Sequence, residues 1–189
     1  MRPKDPKKIE SIYEATLKTY ERYGLSGITI KRISAISNLS TGAIYTYFKT
    51  KNDILEALFI RIGSIRKETF PFHFSNSQTF EEKFDIFWNT IYDFETEHFL
   101  ETNLANDFFY SGNCSEEIRK EFLTANPAIE LLQEGIDKGI LKDIHPLLFG
   151  KFIASTVRIL VKQNQYEPSF GSVPSKELQK SLVWDAIKN

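Results

Sequence analysis

Apolar residues recur at intervals of three and four along almost the whole chain. That spacing lays them on one stripe of an α-helix. Continuous period-two runs bounded by turn residues are absent, so no strand pattern competes with it. The spacing predicts an all-α protein. The first helix covers about 7–23 on Ile9, Ile12, Tyr13, Thr16, Leu17, Tyr20 and Tyr23, and Gly24 stands where a left-handed cap is wanted. A short helix follows from Ile30 to Ser37, with Thr29 as its N-cap and Ile33 and Ile36 inward. Asn38 then supplies a residue that tolerates positive φ. A third helix starts after Ser40 and runs to about Phe48, with Ile44 and Phe48 on one face. A fourth, capped by Thr50 with Asp53 in a variant capping box, carries Ile54, Leu55, Leu58, Phe59 and Ile62 to about Lys67.

The periodicity breaks over 70–79, which reads as a joint between two domains, 5–67 and 68–189. Beyond it Phe80, Phe84, Phe87, Trp88, Ile91, Tyr92 and Phe94 predict a helix that is aromatic on most of its circumference. Shorter helical stretches cover about 100–110 and 115–138, the second broken near Asn126 and Pro127 and ending at Gly139. Pro146 opens a long helix, 168–174 is a loop, and the last helix carries Leu178, Leu182, Val183, Trp184 and Ile187.

The chain has 189 residues and a net charge of −1. That small total hides a split. Residues 1–67 hold 13 Lys/Arg against 6 Asp/Glu, a net +7, and the remainder is −8. A basic third on an acidic body points that third at a polyanion. Cys114 stands alone, so no intrachain disulfide forms and a reducing cytoplasm is the expected compartment. The N-terminus lacks a secretory apolar core, and no stretch approaches the length of a membrane span. His73, His98 and His145 are isolated, so no metal or other cofactor is expected. No nucleophile–base set or Gly-rich phosphate loop is present, and an enzyme is not expected.

Two short helices joined by Ser37-Asn38-Leu39-Ser40 form a helix-turn-helix. A recognition helix enters a major groove about 12 Å wide with its N-terminal end near the base edges. It needs small or polar residues in front and an apolar anchor behind. Thr41, Gly42 and Ala43 are the small face, and Ile44 and Phe48 the anchor. Gly42 lets the backbone approach the duplex, and Tyr45, Thr46 and Tyr47 can hydrogen-bond phosphates or bases. Lys51 opens the next helix, where its ammonium and the helix N-terminus can both face a phosphate.

The run Thr29-Ile30-Lys31-Arg32-Ile33-Ser34, then Leu39-Ser40-Thr41-Gly42-Ala43-Ile44-Tyr45-Thr46-Tyr47-Phe48-Lys49-Thr50-Lys51, resembles the DNA-binding domain of TetR-family transcriptional regulators. The motif Ser-x-Gly-x-x-Tyr-x-Tyr-Phe-x-x-Lys carries the resemblance, which covers roughly residues 9–60. Ser34 and Ser37 stand where alanines are common in that family, and Asn38 where glycine is; the turn is expected to lose a little stability. The resemblance implies phosphate contacts from Thr29 and Lys51, with Thr41, Gly42, Ala43, Tyr45, Thr46 and Tyr47 facing the groove. It adds backbone contacts from Lys31 and Arg32, and makes Ser40 chiefly a cap with a phosphate contact besides.

It also implies an all-helical effector-binding and dimerisation domain in the remainder. Residues 70–110 hold 13 of the 26 aromatic residues. Two readings stay open for Phe84, Phe87, Trp88, Tyr92, Phe108 and Phe109: walls of a pocket for a small apolar or aromatic effector, or ordinary core. Glu95, Glu97, Glu101 and Asp107 lie nearby, so a cationic effector is conceivable, although solvated carboxylates explain them as well. Phe149, Phe152, Ile153, Val157, Leu160, Leu182, Val183 and Trp184 form stripes on the last two helices. Two such helices from each subunit can make a four-helix dimer interface, or they can face only their own domain. The expectation is a dimeric repressor released from a palindromic double-stranded DNA operator by its effector. The alternatives are a regulator with a protein effector or none, and a helical carrier or enzyme with an incidental basic N-terminus.

Overall fold

A computed structural model describes residues 5–70, 74, 78–124, 128–166 and 174–189. The described helices are α1 (Pro6–Tyr23), α2 (Ile30–Ser37), α3 (Thr41–Tyr45), α4 (Lys51–Thr69), α5 (Phe80–Glu97), α6 (Phe99–Tyr110), α7 (Glu116–Thr124), α8 (Ala128–Asp137), α9 (Pro146–Tyr166) and α10 (Lys176–Ile187). No strand occurs among the described residues; one antiparallel bridge joins Leu141 and Lys188. The expected breaks at 126–127 and 168–174 lie outside the described residues, apart from Pro174. Packing divides the chain into two compact units. One is Met1–Ser64 with Leu100–Lys120, and the other is Ile65–Phe99 with Glu121–Asn189. The first therefore draws in Leu100–Lys120 beyond the expected span of 5–67.

In the first unit, Asp5 caps α1 by accepting from the Lys7 amide at 3.0 Å, with Pro6 in the first turn. Ile12, Ala15, Thr16 and Thr19 form its buried stripe. The two buried hydroxyls donate back to the carbonyls of Ile12 and Ala15, both at 2.7 Å, so no polar group is left unpaired there. Gly24 ends the helix at φ 65°, ψ −178°. This is the extended positive-φ region that only glycine enters readily, and not the left-handed helical cap expected. Thr50 and Asp53 form the expected box on α4: Asp53 Oδ2 accepts from the Thr50 amide at 3.2 Å, and the Thr50 hydroxyl accepts from the Asp53 amide at 3.1 Å. That hydroxyl also donates to Asp53 and holds its carboxyl below the ordinary aspartate value. Ile12, Ile28, Ile33, Ile44 and Ile54 are fully buried at the centre, each contributing roughly 1.5–3 kcal/mol by leaving water. Phe59 packs on Phe108 and Phe109 at 6.0 and 6.3 Å between ring centroids.

In the second unit, Thr79 and Glu82 close a full capping box on α5. The helix then buries Phe80, Phe84, Phe87, Trp88, Ile91 and Phe94. Trp184 of α10 lies 4.8 Å from Phe84, and Phe70 meets Phe94 edge-on at 5.3 Å. α8 passes close because residue 135 is glycine: a Cβ there would stand 2.7 Å from Phe80 Cε2 and 2.8 Å from Leu141 Cδ1. Charge is buried as well. Glu95 is 1% exposed and receives Arg158 as a fork, Nε to Oε2 and Nη2 to Oε1, each at 3.1 Å. Arg66 lies within electrostatic reach of both; burial lowers its pKa from the ordinary value, and Glu95 opposes that. Lys83 reaches Glu134 at 2.9 Å.

Candidate nucleic-acid interface

The turn of the helix-turn-helix is built from side chains as much as from backbone. Asn38 takes φ 56°, ψ 23° at the end of α2, as its place predicted. The two serines add bonds that alanine cannot make. Ser34 Oγ donates to the Leu39 carbonyl at 2.6 Å, and Ser37 Oγ donates to the Ser34 carbonyl and accepts from the Leu39 amide, both at 3.4 Å. They therefore help pin the turn rather than merely fit it.

Ser40 caps α3 by accepting from the Ala43 amide at 3.1 Å, and Thr29 caps α2 by accepting from the Arg32 amide at 3.2 Å. α3 ends at Tyr45, three residues short of the expected Phe48. The amides of Tyr47 and Phe48 both turn onto the Ile44 carbonyl, at 2.9 and 3.0 Å, while the Thr46 hydroxyl donates to the Ala43 carbonyl at 2.6 Å. Ile44 is fully buried as the anchor; Phe48 is only half-buried, with its ring 5.9 Å from Tyr13.

Thr41, Gly42, Tyr45 and Thr46 are exposed on α3 and its end, with Tyr45 exposed by 55%. Thr29, Lys31, Arg32, Ser40 and Lys51 are exposed around them, while Ala43 and Tyr47 are half-buried. Lys51 Nζ rests 3.5 Å from the Ile28 carbonyl. Arg32 is more engaged than its exposure suggests. It donates to the Gly27 carbonyl at 2.6 Å, and its guanidinium lies 4.3 Å from the centroid of the Tyr23 ring. Sequence reasoning did not foresee that tie, because it depends on the extended turn at Gly24.

The residues expected to bind an effector fall in both units. Phe84, Phe87, Trp88 and Tyr92 lie in the second unit, and Phe108 and Phe109 pack against Phe59 in the first. Phe84, Phe87, Trp88, Phe108 and Phe109 are buried, and Tyr92 is half-buried. The dimer residues divide too. Phe149, Ile153, Val157 and Val183 are buried in their own chain. Leu160 and Trp184 are half-buried; Phe152 and Leu182 are 45% and 58% exposed. Leu148, Ile159 and Leu178 on the same two helices are also exposed. Burial holds the Cys114 thiol above its ordinary pKa, away from reactive thiolate.

An all-helical chain with this turn and this exposed short helix is of the helix-turn-helix class. The family model for bacterial regulatory proteins of the tetR family matches residues 12–58. A helix-turn-helix-type transcriptional regulator of Haemophilus influenzae is 30% identical over 94 residues, which are 50% of this chain and 48% of that one. YhgD, a regulator of the same type from Bacillus subtilis, is 25% identical over 147 residues, 76% of each chain. Over the whole of both chains, a TetR-family transcription regulator of Marinobacter aquaeolei superposes with a TM-score of 0.78 at 22% identity. The likeness to the tetR family thus lies in residues 12–58, and over its whole length the chain shares the fold of the solved TetR-family regulator. No described helix is long and apolar enough to cross a membrane.

Proposed function

We propose that the chain is a DNA-binding transcriptional regulator acting in the cytoplasm as a homodimer on a palindromic operator. In this reading residues 5–67 carry the DNA contacts, and residues 68–189 carry dimerisation and a small apolar or aromatic effector whose binding releases the operator. Thr41, Gly42, Ala43, Tyr45, Thr46 and Tyr47 face the groove. Thr29, Lys31, Arg32, Ser40 and Lys51 meet phosphates.

One observation carries the reading. Gly42 sits inside α3, and a Cβ built on it would meet only Ser40 Oγ, at 4.0 Å. The fold has room for a side chain there and no positive φ to accommodate. Glycine in a helix costs roughly 0.5–1 kcal/mol against alanine, so what makes use of the bare backbone is something outside the chain. A duplex whose backbone or base edges come close to α3 fits that need. Gly42→Ala is expected to keep or slightly raise the melting temperature and to weaken operator binding at least tenfold. Equal affinity for DNA in a gel-shift titration would contradict the assignment of α3.

The dimer rests on the exposed apolar side chains of α9 and α10. Leu148, Phe152 and Ile159 lie along α9, and Leu178 and Leu182 lie one turn apart on α10. Phe152→Asp is expected to turn a dimer into a folded monomer in sedimentation, because its side chain is exposed within the subunit. Val157→Asp is expected to unfold the subunit instead. A Phe152→Asp protein that sediments as the wild type does would remove this surface from the interface.

A further inference from the structure

Two arginines of the first unit lie over tyrosine rings. Arg61 stands 5.3 Å from the ring centroid of Tyr13, and Arg32 stands 4.3 Å from that of Tyr23. Their charges are answered differently. Arg61 donates to both carboxylate oxygens of Glu10, at 2.9 and 2.8 Å. Among the described residues no carboxylate pairs with Arg32, whose guanidinium donates to the neutral Gly27 carbonyl at 2.6 Å. Arg32 and Tyr23 are both exposed, Tyr23 by 50%.

The chain around them is shaped to hold this posture. Gly24 turns the backbone at φ 65°, and the turn Leu25–Gly27 follows. Gly27 lets ring, carbonyl and guanidinium close together: a Cβ there would run into Tyr23 Cβ and stand 3.4 Å from Arg32 Nη1. An arginine side chain is long and rich in rotamers, so an exposed one is ordinarily unordered. Here one face of the guanidinium lies on a ring and one N–H is fixed, which leaves the rest of its donor fork for an outside acceptor. Phosphate oxygens suit a charged fork that no acid of the chain has claimed.

We infer that Tyr23 is a positioning residue for DNA binding: its ring holds the Arg32 guanidinium ready for a backbone phosphate before the duplex arrives. This rests on the proposed reading of Arg32 as a phosphate contact and deepens it. Immobilising a rotamer-rich side chain at the moment of association weakens binding by about two- to tenfold. Tyr23 and Gly27 move that ordering from association into folding.

The test uses the full-length protein and a labelled duplex that the unaltered protein selects from random-sequence DNA, with fluorescence anisotropy read across a salt series. Tyr23→Leu is expected to weaken binding about tenfold in the dimer and to leave the slope of log K against log salt unchanged, because the charge still arrives but must be ordered. Tyr23→Phe keeps the ring face and is expected to bind as the unaltered protein does. Arg32→Met is expected to flatten the slope by about two in the dimer. Tyr23→Leu added to Arg32→Met is expected to cost nothing more. A Tyr23→Leu loss of equal size with and without Arg32 would make the tyrosine a merely structural residue and overturn the inference. So would Tyr23→Leu at full affinity, Tyr23→Phe as weak as Tyr23→Leu, or Arg32→Met with an unaltered slope. If Arg32→Met fails to fold, ¹⁵N relaxation of the Arg32 Nε–H in the free protein decides. That group is expected to be ordered in the unaltered and Tyr23→Phe proteins and mobile in Tyr23→Leu; equal order in all three overturns the inference. An unaltered protein that binds with a steep slope while Tyr23→Leu is neutral removes the positioning role alone, whereas one that binds no duplex removes the DNA-binding reading with it.

Discussion

Raising salt from 50 to 200 mM is expected to weaken operator binding by about 10³- to 10⁵-fold, with log K falling against log salt at a slope of roughly −5 to −9. The slope counts the phosphates neutralised. Lys31, Arg32 and Lys51 are exposed beside α3 in each subunit, so a dimer brings at least about six cations to the duplex. The net charge of +7 over residues 1–67 adds long-range attraction, while the −8 of the remainder keeps that body away from the backbone. Lys51→Ala is expected to lower affinity for all sequences alike and to flatten the slope by about two in the dimer. Changes at Thr41 or Tyr45 are expected to alter which sequences bind while leaving the slope nearly unchanged. Fluorescence anisotropy across a salt series measures both. A slope near zero on every DNA tested would dismiss the basic unit as a nucleic-acid surface.

The largest expected effect on stability comes from Arg158. Methionine in its place fills similar space but strips a buried carboxylate of both fork bonds. Glu95 has almost no contact with water to fall back on. Breaking one side of such a pair costs about 3–5 kcal/mol, most of it the stranded charge. Arg66 still acts on Glu95 through its charge, which places the loss toward 3 kcal/mol, or a fall in melting temperature of about 6–12 °C for a chain of this size. Adding Glu95→Gln to Arg158→Met is expected to recover much of the loss, because the orphaned charge goes with it. Urea unfolding of the four proteins in the cycle measures the coupling. A single variant as stable as the wild type would mean that the pair is solvated in solution.

The helix-turn-helix was legible almost residue by residue, because its signals are local. A cap needs its hydroxyl three residues before the amide it satisfies, and Thr29, Ser40 and Thr50 all stand at that offset. A left-handed turn needs a residue that tolerates it, and Asn38 is there. The end of α3 was not legible. Residues 46–48 continue the helical spacing, and only the turn of their amides onto Ile44 stops the helix. The serines of the turn looked like bare substitutes for alanine until their hydroxyls met backbone partners two to five residues away.

The second unit shows the opposite balance. Spacing finds a stripe but not what covers it. Phe149 and Phe152 lie three residues apart on α9, yet one is buried and the other is 45% exposed. The aromatic residues of 70–110 look like one cluster in the chain, yet Phe108 and Phe109 pack on Phe59 in one unit, and Phe80, Phe84, Phe87, Trp88, Tyr92 and Phe94 belong to the other. Buried polarity is equally silent in one dimension. Glu95 reads as one more carboxylate on a helix until Arg158, 63 residues on, closes over it, and Gln179 reads as a surface residue until packing leaves it 1% exposed. Helices, caps and turns were thus readable because each depends on neighbours within about four positions. Which side chains are buried and which stay exposed was decided by the fold, since burial is set by residues that meet only once distant helices pack.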